Sequence, residues 1–412
     1  MKSHNSQSNP LPLEGLCIVD FSHFIAGPFT TQILADLGAS VIKIENLKGG
    51  ESGRYGPPFV DGQSHYFLSF NRNKQSVALN LKDPRGKKIA IRLIKQADVL
   101  VENFAVGVMG RLGFGHKAMT KLNPNLIYCS VSGFGQSGPL AEKRSYDLIA
   151  QAYSGVMSAN GERGSSPLKI GIPIGDTTAG LYATISILSA LLQRKATGAG
   201  QRLDISMYDG LLAMLANHGG YYLASGEQAE KWGSQHYISV PNGVFPVKDG
   251  FIAIAAVSDL HWQKLCKALG MPQLSTDPLY AGGLDRAKNR GTLETHLLDH
   301  LAEVSVVQAV EILDAAEVPC GPVQSIGEAL EHPHIQSRGM LLDLNHPAYG
   351  ALRVTGSPLG PNLVRHNPSA PPLLGENTKE ILASLGYDEQ DITQLMEDGV
   401  IAAAELDPSR LI

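Results

Sequence analysis

From Leu16 the chain alternates short runs of β-branched and apolar residues with longer stretches whose apolar positions recur at helical spacing: LCIVDF, PFTTQILADLG, SVIKIE, DPRGKKIAIRLIKQ and ADVLVENF. This rhythm predicts a parallel sheet covered by helices. LIYCSVSGF and QRLDISM continue it as strands, with helices expected over 146–158, 176–195 and 207–224. The first ~220 residues therefore read as one α/β domain. Beyond Ser225 the pattern changes. GVFPVKDGFIAIAA reads as a hairpin turning at Lys248-Asp249-Gly250, and amphipathic stretches follow near 261–269 and 286–302, as in a smaller α+β domain. From about His332 the chain is rich in Pro and Gly as far as Pro371-Pro372-Leu373-Leu374-Gly375, after which two polar helices close it. No repeat of 20 to 50 residues is visible.

Composition narrows the class. A chain of 412 residues exceeds what one core usually supports, so two domains are expected: 10–224 completed by 331–412, and an inserted 225–330. With 43% hydrophobic and 18% charged residues, it reads as an ordinary globular enzyme. The net charge of −5, without a Lys/Arg block interleaved with aromatics, suggests neither a nucleic acid nor a membrane surface as partner. Cys17, Cys129, Cys266 and Cys320 have no metal-type spacing and read as reduced, mostly buried thiols of a cytoplasmic protein, with no metal expected. The start, MKSHNSQSNPLPLEG, shows no apolar leader, and the apolar stretch 177–192 is interrupted and shorter than the ~20 residues of a membrane span.

Four segments could carry chemistry. Gly133-Phe-Gly-Gln-Ser-Gly138 has dinucleotide-loop spacing after a strand, but Pro139 and Glu142-Lys143-Arg144 follow instead of an apolar helix, which favours a structural turn. In Gly171-Ile-Pro-Ile-Gly-Asp176-Thr-Thr-Ala-Gly180 an Asp stands where an extended run becomes a long apolar helix. Asp176 is then either an N-cap or, in the same geometry, a fixed carboxylate nucleophile facing a pocket. Tyr146-Asp147 reads either as ordinary capping with a core-facing Tyr or as part of a substrate mouth. His332-Pro333-His334 reads as a solvated loop rather than a metal pair.

An ordered set of motifs resembles the family III CoA-transferases, which include formyl-CoA:oxalate and succinyl-CoA:glutarate CoA-transferases, with α-methylacyl-CoA racemase as a cousin. The set is Asp20-Phe21-Ser22-His23 with Ala26-Gly27-Pro28, LGASVIKIE, Asn71-Arg72-Asn73-Lys74, Val101-Glu102-Asn103-Phe104, Arg111-Leu112-Gly113-Phe114, Ser145-Tyr146-Asp147, Gly175-Asp176, Pro319-Cys320-Gly321-Pro322 and Pro372-Leu373-Leu374-Gly375. It runs from about Leu13 to the C-terminus.

The resemblance implies a Rossmann-like large domain with a smaller α+β domain, an interlocked homodimer, and a nucleophilic role for Asp176. It implies coenzyme A, as acyl-CoA substrate and with no other cofactor, at Ile25, Ala26, Leu79, Asn80, Leu81, Lys82, Asn103, Phe104, Ala105, Arg111, Arg144, Ser145, Tyr146 and Asp147. Cationic Lys82, Arg111 and Arg144 suit the phosphates. His23, Asn242 and Gly243 are implied near the acyl group, Val240-Pro-Asn-Gly-Val-Phe245 resembling the counterpart of the family's glycine-rich loop.

Asn46 and Ile25 stand where the formyl-CoA enzyme has Arg and Gln. Trp232 to Pro241 with Phe245 is similar to the succinyl-CoA:dicarboxylate members, so the expected substrates are succinyl-CoA and a C4–C6 dicarboxylate. Racemisation remains as an alternative, although racemases carry a His where Tyr146 stands, and a phenol titrating near 10 is a poor base at neutral pH. CoA binding without turnover is the third.

Overall fold

Residues 10–60, 62–346 and 348–404 are described in the structure, a computed structural model; the polar start 1–9, read above as carrying no leader, lies outside the described residues. The chain divides into two units. The first comprises the described residues within Met1–Val156, Lys169–Gly220 and Gln336–Ile412, the second Met157–Leu168 and Tyr221–Ile335.

In the first unit, six apolar runs become strands β1 (Cys17–Asp20), β2 (Ser40–Glu45), β3 (Lys74–Leu79), β4 (Val99–Glu102), β5 (Ile127–Ser132) and β6 (Arg202–Ser206). They are parallel, in the order β3-β2-β1-β4-β5-β6. The near-continuous hydrophobicity of β1 to β5 follows from burial on both faces, as parallel crossovers demand. Ile401–Ala402 pairs antiparallel with the outer side of β3 and covers that edge.

Helix Pro84–Gln96 shows the local logic. Asp83 caps its start by accepting the Arg85 N–H, Pro84 occupies the first turn, and Ile89, Ala90, Leu93 and Ile94 face the core with Val77, Leu100 and Tyr128. On the other side α1 (Ala26–Asp36) packs against the long α2 (Ile174–Thr197). Their contact is close because Gly180 has no side chain: a Cβ there would lie 2.8 Å from Phe29 and 3.1 Å from the Ala26 carbonyl.

Three expected helices differ in their limits. The stretch 146–158 breaks at Gly155 (φ 85°) into Asp147–Ser154 and Val156–Ala159. The stretch 207–224 is Met207–Met214 and Ala216–Ser225. Helix α2 starts two residues early, so Asp176 lies inside its first turn. A hairpin of Leu341–His346 and Gly350–Thr355, unpredicted within the Pro/Gly-rich stretch, packs Leu344, Leu352 and Val354 on Phe67 and Leu68. The two closing helices are Thr378–Ser384 and Glu389–Glu397.

The second unit carries an antiparallel sheet of β7 (Asn242–Val247), β8 (Gly250–Ala255) and β9 (Cys320–Pro322), with the expected hairpin turning over Lys248 and Asp249. Phe245, Ile252, Ile254, Trp262, Leu265, Leu293 and Leu313 form its core. Trp232 is held between the guanidinium groups of Arg163 and Arg290, 4.8 and 4.7 Å from its ring. His332 and His334 are exposed, and Pro333–Ser337 is a short helix instead of the expected loop. Among the described residues no helix is long and apolar enough to cross a membrane, and no group of three His, Cys, Asp or Glu is placed to hold a metal.

Candidate active site

The strand order reverses between β1 and β4, so the loops leaving their C-terminal ends diverge and open a crevice, the usual ligand position in such sheets. A cavity of about 910 Å³ occupies this edge. The Asn103 amide ties the two loops together, accepting the His23 N–H at 2.9 Å and donating to the His23 carbonyl at 2.8 Å.

Most of the expected site residues converge here. His23, Ile25 and Ala26 arrive from β1, Asn103, Phe104, Ala105 and Arg111 from β4, and Arg144 to Asp147 from the stretch after β5; Asp176 comes from α2. Leu79 to Lys82 do not line this cavity: Leu79 is buried in the core, while Asn80 to Lys82 follow β3 towards helix Pro84–Gln96. Asn242 and Gly243 open β7 in the second unit, paired with Ala255 and Ile254. Asn46 is exposed just after β2 and does not line the cavity. The loop 133–138 is a glycine turn, with Gly135 and Gly138 at φ 83° and 91° and no helix following until Asp147, which removes the dinucleotide reading.

Asp176 is not an N-cap. Pro173 precedes the helix, no side chain of that position caps it, and the cap is supplied from elsewhere in the chain. Asp147 Oδ1 accepts the Gly175 N–H at 2.7 Å, and its Oδ2 accepts from Gln151 Nε2 at 2.6 Å. Gln151 Oε1 in turn accepts the Ile170 N–H at 2.8 Å. The start of α2 is thus anchored next to Asp176 while the Asp176 carboxylate stays uncommitted. A Cβ on residue 175 would meet Asp147 Oδ1 at 2.9 Å, so a larger residue there would displace the Asp147 carboxylate.

Burial, and then the Asp147 charge, push the Asp176 carboxyl up to about 7. Tyr66 stands close enough that Asp176 helps raise its hydroxyl above the ordinary phenol range, after burial. Burial also lowers His23, partly offset by Glu51. Tyr146 is 70% exposed, which excludes the core-facing reading and leaves it at the mouth.

The sequence did not point to Phe24, Tyr66, Lys143 or Lys169, which also line the cavity. Phe24 lies between two expected site residues and was accessible to inference by adjacency. Tyr66 and Lys169 carry no local signal, because they reach the cavity only through tertiary folding. Arg111, Lys143, Arg144 and Lys169 bring cations suited to phosphates into a lining that also carries Glu142, Asp147 and Asp176.

Residues 13–378 match the family model described as CoA-transferase family III. The chain is 37% identical to succinyl-CoA:glutarate CoA-transferase of Mus musculus over 96% of its own length and 91% of that protein's, and 38% identical to acetyl-CoA:oxalate CoA-transferase of Acetobacter aceti over 88% and 93%. The crystal structure of a CAIB/BAIF family protein from Brucella suis superposes with a TM-score of 0.84 at 34% identity, covering 92% of this chain and all of that one.

Proposed function

The chain belongs to CoA-transferase family III, and from that premise we propose that it moves coenzyme A from succinyl-CoA to a C4–C6 dicarboxylate, with Asp176 as the covalent nucleophile. The observation that carries the reading is a carboxylate without a hydrogen-bond or ion-pair partner among the described residues, fixed at the start of α2 in the cavity that Arg111, Lys143, Arg144 and Lys169 also line; burial raises its pKa.

The Asp176 carboxylate attacks the thioester carbonyl; the C–S bond breaks and CoA thiolate leaves a mixed anhydride. The thiolate attacks the aspartyl carbonyl, expelling the donor acid as its carboxylate and leaving an aspartyl–CoA thioester. The acceptor carboxylate attacks that thioester, forming a second anhydride and releasing the thiolate. Attack of the thiolate on the acceptor's acyl carbon gives the new acyl-CoA and restores Asp176. A carboxylate is a weak nucleophile, and raising its basicity strengthens it while leaving about half ionised near pH 7. Fixing the start of α2 supplies orientation.

Two relatives are named for dicarboxylate acceptors, glutarate and oxalate. Ile25, which lines the cavity where the formyl-CoA enzyme has Gln, argues against an oxalate and formate pairing, and the resemblance of the stretch Trp232–Pro241 to the succinyl-CoA:dicarboxylate members favours the longer acids. We also place the enzyme in the cytoplasm, where its four unpaired cysteines would stay reduced, and as an interlocked homodimer. Leu181, Ile185 and Leu192 form an exposed apolar stripe on α2, opposite the face that packs on α1, and a second copy would cover it.

The test is CoA exchange followed by mass spectrometry, with succinyl-CoA, a pool of mono- and dicarboxylates, and Asp176→Ala as control. A new acyl-CoA that disappears in the variant is expected. No exchange, with deuterium entering the α-carbon of 2-methylacyl-CoA instead, would transfer the case to racemisation.

A further inference from the structure

Phe24 adopts φ 63°, a left-handed conformation that costs a bulky side chain energy and persists only where neighbours impose it. The neighbours are buried charges. Asp20 accepts the Ser22 N–H at 2.8 Å and its hydroxyl at 2.5 Å, Lys43 Nζ donates to the Ser22 carbonyl at 2.6 Å, and Glu51 Oε2 accepts the Phe24 N–H at 3.0 Å and the Gly53 N–H at 2.7 Å. Lys43 Nζ lies 3.8 Å from Asp20 and 3.7 Å from Glu51, and Lys74 Nζ lies 3.2 Å from Asp20. All four side chains belong to the buried interior.

Buried ion clusters are poor sources of stability, since apolar replacements commonly do as well. This one fixes a backbone. The ring it holds lines the cavity edge-on to both Tyr66 (centroids 6.5 Å apart, 87°) and Tyr146 (6.0 Å, 90°), and Tyr66 is the side chain whose hydroxyl responds to the Asp176 charge. Phe24 thus shares the cavity with Asp176, its ring perpendicular to those of Tyr66 and Tyr146.

We infer that Phe24 determines acyl-group selectivity, and that Asp20, Lys43, Glu51 and Lys74 are positioning residues that hold it in its strained conformation. The selected group is a straight methylene chain, because a branch at carbon 2 would press on an aromatic side chain that its backbone does not let turn aside. This deepens the reading of the site as an acyl-CoA site and rests on that much of it.

The experiment measures Kd and kcat/KM for succinyl-CoA and 2-methylsuccinyl-CoA with wild type, Phe24→Ala, Phe24→Tyr, Glu51→Ala and Glu51→Gln. Phe24→Ala is expected to lower the preference for the straight chain about tenfold, the scale of one methyl group in a shaped pocket. Phe24→Tyr should keep the preference. Glu51→Ala should reproduce the loss, and Glu51→Gln, which retains an acceptor for the Phe24 N–H, should restore most of it.

If Glu51→Ala does not fold, melting curves of Phe24→Gly and Phe24→Ala decide the positioning role. Glycine should melt higher, because only it relaxes at positive φ. An unchanged preference in Phe24→Ala would overturn the selectivity role, and equal or reversed melting would overturn the held strain. The Kd ratio needs no turnover. A wild type that bound selectively but transferred nothing would overturn the transferase reading and still support this one.

Discussion

Asp20 and Asp176 lie at the same edge of one sheet, and their surroundings drive them in opposite directions. Burial opposes the charge of Asp20, but Lys43 and Lys74, with hydroxyl donors from Ser22 and Thr31, hold its carboxyl down at about 2. Asp176 has no cation and no side-chain donor to offset burial, and Asp147 adds a like charge, so it rises to about 7. A carboxylate saturated with partners is spent on architecture; one left without them keeps its lone pairs for chemistry. Lys74 shows the cost of the first arrangement, since burial brings its ammonium down to about 8 despite Asp20.

The largest effects would come from exchanging these roles. Asp176→Ala should cut CoA transfer by about 10³-fold or more while leaving the fold intact; an active variant would falsify the nucleophile assignment. Asp20→Ala should do the reverse, destabilising the first unit by about 3–5 kcal/mol, because it leaves two buried ammonium groups short of a counter-charge. Urea unfolding measures this, and a midpoint close to wild type would show that the cluster is not held as described.

A smaller effect tests the link between the two acids in the cavity. Activity should rise with pH through about 7 as Asp176 ionises, and Asp147→Asn should move that limb to lower pH by removing the like charge. A limb that stayed in place would mean that Asp147 acts on α2 through its hydrogen bonds alone.

The last effect is on the pH dependence of stability. The folded pKa of Asp176 lies above its unfolded value of ~3.9, so the folded state is penalised for the charge fully above about pH 7 and not at all below about pH 4. Asp176→Asn should therefore raise the melting temperature at pH 8 and lose that advantage by pH 4. For Asp20 the sign reverses: its contribution is complete above pH ~3.9 and disappears as pH falls through about 2. Melting curves at pH 8 and 4 that gave Asp176→Asn the same advantage would contradict the raised pKa.

Much of the fold was legible because its signals are local. The apolar runs of β1 to β5, the two-residue turn at Lys248 and Asp249, and the Asp83-Pro84 helix start each need only a few neighbouring residues to be recognised. The hairpin over 341–355 was not, since Leu344, Leu352 and Val354 acquire their meaning only against Phe67 and Leu68. The motifs around Asp20, Lys43 and Lys74 were visible as letters, but Lys43 in the middle of SVIKIE gives no hint from its strand that it is fully buried.

The chain by itself determined the alternation of strands and helices, the position of Asp176 at the entrance to a long apolar helix, and the set of residues leaving the ends of β1 and β4. Tertiary structure decided that Asp147 rather than Asp176 caps that helix, that Phe24 stands between two tyrosines, and which carboxylate has cations beside it. The reason is physical: periodicity is a property of neighbours along the chain, whereas burial, ion pairing and pKa are sums over neighbours in space.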